Sequence, residues 1–223
     1  MPDTFPPWNG NVARMNTSGI ERMIAETGSD PQAVAELHDL LAVLAERKGI
    51  VPDVRDLDRG ARFVIAYMEQ VPYMLKVAIT AAGNVGLEAE MNQVVGMVLG
   101  YWEQEDDVIP DHLGVIGLLD DAYCSLTTLQ TFSDQYKLQT GKHMFPDDLS
   151  AANRVMRQVI GDPYVGQLDD FVTRAIRESG VMDAVRSLAS EDKEHFLSAN
   201  ANIWNHGPAS EMSVEPLLAL GAE

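Results

Sequence analysis

The chain has 223 residues, 46% hydrophobic and 22% charged, the balance of a folded globular protein rather than a disordered or fibrous one. Its 34 Asp and Glu against 16 Lys and Arg give a formal net charge of -18, a field that repels nucleic acid and anionic bilayers and argues against direct DNA or RNA binding. The single cysteine, Cys124, cannot close an internal disulfide, and neither a signal-type apolar run after Met1 nor a membrane-span run of about 18 uncharged apolar residues occurs, so the expectation is a cytoplasmic protein without a membrane span.

Residues 1–16 contain Pro2, Pro6, Pro7, Asn9, Gly10 and Asn11 and read as a flexible arm, with Phe5 and Trp8 as its anchoring aromatics. Thr17 or Ser18 then caps a short helix bearing Ile20, Met23 and Ile24, which Gly28 ends. Asp30 and Pro31 open a second helix, with Val34, Leu37, Leu41 and Leu44 as its apolar stripe and Gly49 as its stop. His38 lies off that stripe beside Asp39 and reads as a solvated surface residue. Residues 49–60 carry Asp53, Asp56 and Asp58 but lack the spacing of a calcium loop, so they read as a connecting turn.

Phe63, Val64, Tyr67 and Met68 predict a helix over 61–70, with Pro72 marking its break. Met74, Leu75, Ala78 and Ile79 continue in a second helix to about residue 82, followed by a turn at Gly83, Asn84 and Gly86. The strongest pattern spans 87–103, where Leu87, Met91, Val94, Val98 and Trp102 share a stripe; Gly96 and Gly100 on an adjacent face would admit a close neighbouring helix. Met68, Met74, Met91, Met97 and Trp102 read as core filling rather than as the lining of an apolar ligand cavity.

Residues 107–121, DVIPDHLGVIGLLDD, break the run of ordinary helices and look like the piece the others are organised around. Asp107, Val108, Ile109, Pro110 and Asp111, then Val115, Ile116, Gly117, Leu119, Asp120 and Asp121, match the hallmark of the bacterial YkvA-like family, also called DUF1232, which this chain resembles over about residues 60–138. Glu105 and Gly114 stand where the family pattern has proline. The resemblance implies a central helix–bend–helix hairpin in a small bacterial helical protein and implies no established activity.

A helix over 118–138 follows, with Leu119, Tyr123, Leu126, Leu129, Phe132 and Tyr136 inward and Asp120 and Asp121 in its first turns, where carboxylates suit the positive end of the helix dipole. Residues 141–146 form a loop; Asp147 or Asp148 caps a helix holding Val155, Met156, Val159 and Ile160, ended by Gly161, Asp162 and Pro163. A further helix carries Leu168, Phe171, Val172 and Ile176 up to Gly180, a short one covers 181–188, and Ser190 caps a last one anchored by Phe196, Leu197 and Trp204. Residues 207–223 contain Pro208 and Pro216 and read as a flexible tail, although Leu217, Leu218 and Leu220 would suit a docking segment. The expected architecture is all-α, an irregular bundle of about eight to ten helices: an arm over 1–16, a helical domain over 17–140 containing the hairpin, a C-terminal lobe over 141–206 packed on it, and the tail.

The candidate chemistry is thin. Glu103, Glu105, Asp106, Asp107, Asp111, Asp120 and Asp121 crowd one stretch that has no Lys or Arg. Crowded carboxylates either shift their pKa upward or bind a cation, so Asp107, Asp111, Asp120 and Asp121 are candidate ligands of a divalent metal (Mg²⁺, Ca²⁺ or Mn²⁺), with His112 as an additional one. A structural reading weighs more: Asp107 and Asp111 cap turns at Pro110, and Asp120 and Asp121 satisfy backbone N–H groups around Gly117, because buried donors in an irregular stretch need acceptors. Cys124 sits among core residues without a helically spaced histidine, and His143, His195 and His206 fall in separate segments; no nucleophile or phosphate-loop motif occurs. No catalytic residue and no bound cofactor are assigned. The expected function is that of a non-enzymatic accessory or scaffold protein working through a protein partner or as a homo-oligomer; the alternative is a divalent-metal-binding module or a metal-dependent enzyme.

Overall fold

A computed structural model describes residues 16–104, 108–109, 113–145, 147–191 and 212–222. The fold is all-α, with no strand among the described residues. In chain order the helices are α1 (Thr17–Gly28), α2 (Pro31–Arg47), α3 (Val54–Met68), α4 (Gln70–Asn84), α5 (Glu88–Tyr101), α6 (Val115–Thr140), α7 (Ser150–Ile160), α8 (Tyr164–Glu178), α9 (Val181–Glu191) and the single turn α10 (Glu215–Leu218). The predicted last helix, with Phe196, Leu197 and Trp204, lies outside the described residues, as does the arm.

Local chemistry sets most of the helix starts. Asn16, not Thr17 or Ser18, caps α1 by accepting the Gly19 N–H at 3.0 Å. Asp30 accepts the Gln32 N–H at 2.9 Å with Pro31 at the first helical position, as its sequence predicts. Residues 49–60 are not only a turn: Asp53 and Asp56 form a capping box that starts α3 at Val54. The break between α3 and α4 falls at Glu69, three residues before Pro72. The proline has no N–H for the Met68 carbonyl and its ring crowds that carbonyl, so one helix must end and the next begin with Pro72 in its first turn.

The central element is α6 rather than the stretch that precedes it. This 26-residue helix, about 39 Å long at 1.5 Å per residue, packs against each of α1 to α5 and α7 to α9. It starts at Val115, so Gly117 lies inside the helix instead of forming the bend. The bend belongs to Gly114, whose φ of +66° is open to glycine and closed to a proline ring, and a Cβ there would come within 3.0 Å of the Ala33 Cβ. One hydrophobic cluster runs from Ile20 in α1 to Ala222, so the segments before and after residues 141–146 share a core.

Some predicted faces shift. In α2 the fully covered positions are Ala33, Leu37, Leu41 and Ala45, with Leu44 only packed against the core edge. Ile79 is exposed, whereas Ala78, Ala81 and Ala82 are buried. Gly100 has no neighbour where its Cβ would be, so it does not serve close helix packing; Gly60 does. The largest change concerns the end of the described chain. Residues 212–222 are docked, not flexible: Leu217, Leu220 and Ala222 have no exposed surface, and α10 rests on α3.

Candidate functional site

The predicted acidic site divides. Asp107 and Asp111, with His112 and Pro110, lie outside the described residues. Asp120 and Asp121 are buried on the second turn of α6. Asp120 does not serve the start of its own helix; its Oδ2 accepts the Ile109 N–H at 3.1 Å and the Tyr101 hydroxyl at 3.0 Å. One carboxylate oxygen thus holds the end of α5 and the irregular segment behind it against α6. Beside it the Trp102 indole N–H donates to Ser125 Oγ at 2.9 Å, and the Ser125 hydroxyl donates to the Asp121 carbonyl at 2.7 Å. Among the described residues, no group of three or more His, Cys, Asp or Glu is placed to hold a metal ion.

The same device recurs at the far end of α6. Ser133 Oγ accepts the Met144 N–H at 3.1 Å, and Gln130 Oε1 accepts the Leu149 N–H at 2.9 Å. Asp148, one of the two predicted caps, accepts the Ser150 N–H at 2.9 Å at the start of α7. Three buried polar side chains of the central helix, Asp120, Gln130 and Ser133, therefore satisfy backbone donors of the non-helical segments that leave and rejoin it.

A second polar group lies among α3, α6, α7 and α8. The Tyr67 hydroxyl donates to Asn153 Oδ1 at 2.7 Å, the Tyr123 hydroxyl donates to Asp169 Oδ1 at 2.8 Å, and Arg157 Nη2 donates to Asp169 Oδ2 at 2.7 Å. Burial pushes both tyrosine hydroxyls above their ordinary range; the Asp169 carboxylate adds to the shift at Tyr123, and Tyr123 adds to that at Tyr67. These groups tie four helices together.

The third feature is the seat of residues 212–222. A Cβ at Gly60 would lie 2.6 Å from Leu220 Cδ1 and 3.0 Å from Leu41 Cδ1, so the absence of a side chain on α3 is what lets the leucines enter between α2 and α3. Gly221, at φ +85°, backs onto the Lys48 side chain and Ile50. Around this seat three apolar side chains remain in solvent: Val51 is 93% exposed, Val54 71% and Leu218 46%. The leucines at 217, 218 and 220 were a visible docking signal; the glycine that receives them, inside a stretch read as a turn, was not.

Comparison with protein-family models, characterised proteins and solved structures finds no match to the chain. No helix among the described residues is long and apolar enough to cross a membrane.

Proposed function

We propose that the protein is a non-enzymatic cytoplasmic accessory or scaffold protein that works through protein contacts, self-association included. The observation that supports this reading is the apolar edge around α10. Val51, Val54 and Leu218 stand in water on the segments that meet there, on a chain whose net charge of -18 keeps it soluble without them. The resemblance of residues 107–121 to the YkvA-like pattern is compatible with this reading, since it implies a small bacterial helical protein and no established activity. Several buried polar groups support it too, since Asp120, Ser125, Gln130 and Ser133 have bonding roles within the fold.

The test is light scattering over a range of protein concentrations, joined to chemical cross-linking in host lysate, on the wild type and on a Val51→Asp, Leu218→Asp double variant. The expected result is a mass or a cross-linked partner that the double variant loses while keeping its helical content. A single-chain mass at every concentration together with no cross-linked partner would overturn the proposal.

A further inference from the structure

We infer that the groove between α2 and α3 is a docking site for a leucine-bearing turn, and that its alternative occupant is residues 212–222 of a second copy of this chain. The inference rests on the self-association reading above and names its surface and its partner. The occupant is already seated in the structure, with Leu217, Leu220 and Ala222 fully covered and Gly60 leaving the space that Leu220 fills. The turn carries its own backbone bonds, since the Leu220 N–H donates to the Leu217 carbonyl, the Gly221 N–H to the Leu218 carbonyl and the Ala222 N–H to the Leu217 carbonyl. Its seated backbone therefore needs no pairing with the helices that receive it.

Every contact in the groove is made by residues that each copy possesses, so the seat is the same whether the turn comes from its own chain or from another. Only the connection differs. Residues 192–211 join α9 to the docked segment. A turn held on its own chain competes at an effective concentration that a second copy must exceed before it takes the seat. At low concentration each chain fills its own groove. Exchange between copies becomes favourable at high concentration, or when the resident turn is disabled.

Two full-length variants separate the partners. In one, Leu217→Asp with Leu220→Asp disables the turn and leaves the groove; in the other, Gly60→Leu fills the groove and leaves the turn. Each alone is expected to keep its helical circular dichroism and run at single-chain mass, and the equimolar mixture at twice that mass. Should Gly60→Leu fail to fold, Gly60→Ala takes its place. A labelled peptide of residues 212–222 provides the second reading: saturable binding to the Leu217→Asp, Leu220→Asp chain and at least about tenfold weaker binding to the groove-filled chain, a difference of about 1.4 kcal/mol. A mixture that stays at single-chain mass, with a peptide that does not saturate up to roughly 1 mM, overturns the inference. The two proposals fail separately. A wild type that self-associates while the variant pair stays apart removes only the exchange of turns; a pair that joins while the wild type remains single-chain and partnerless removes only the scaffold role.

Discussion

Asp120 accepts the backbone N–H of Ile109 at 3.1 Å across the bend that separates α5 from α6, and the same oxygen accepts the Tyr101 hydroxyl. Asp120→Ala removes the acceptor from both donors inside the core, at about 1–3 kcal/mol for each donor left without one. Urea unfolding should show a loss of that order. Asp120→Asn keeps an acceptor oxygen and is expected to lose less; equal stability of the alanine variant and the wild type would mean the bend does not depend on this carboxylate.

Trp102 and Ser125 form the second clamp on the same bend. Ser125→Ala leaves the buried indole N–H without its partner at 2.9 Å and should cost about 1–3 kcal/mol. Trp102→Ala removes the whole buried side chain and should cost about 3–5 kcal/mol. Because the indole and the hydroxyl share one bond, a double-mutant cycle should show the two losses to be less than additive.

Alkaline pH should weaken the fold. Burial raises the hydroxyl pKa of Tyr67 and Tyr123 above the ordinary value of 10.0, so the unfolded chain releases these protons first. Their contribution is intact below about pH 10 and is lost as pH rises toward their folded-state values. Melting temperatures measured through this window should fall, and Tyr123→Phe should flatten the decline. A wild type and a variant with parallel profiles would remove Tyr123 as a cause.

Divalent cations offer a sharper test of the acidic stretch. With Asp120 Oδ2 already engaged by two donors, addition of Mg²⁺, Ca²⁺ or Mn²⁺ is expected to leave the melting temperature unchanged, with Asp111→Asn behaving as the wild type. A saturable rise that Asp111→Asn abolishes would restore Asp107, Asp111, Asp120 and Asp121 as ligands.

Leu220 tests the seat of α10 from the occupant's side. Leu220→Ala deletes a fully buried side chain and should lower stability by about 2–5 kcal/mol if the docked turn unfolds together with the rest of the chain. A loss of only a few tenths would mean that the turn leaves its groove as a separate unit before the core opens.

The helical class and most of the buried stripes were legible in the order of residues alone. A 3.6-residue spacing such as Met91, Val94 and Val98 has one physical solution, and caps such as Asp30 with Pro31 act within a few residues. The order of residues also marked Asp120 as more than a surface acid and put it in the first turns of its helix, but could not name the donors it serves. Which donor an acid serves depends on what the chain folds back against it, and Ile109 reaches Asp120 only because α5 and α6 pack. The same holds for Gly60, which nothing nearby in sequence marks as a seat for Leu220, and for residues 212–222, whose proline and glycine describe a loose end until α2 and α3 offer it a groove. These follow from packing, because contacts between distant segments are set by the shape and volume that remain once the helices have come together.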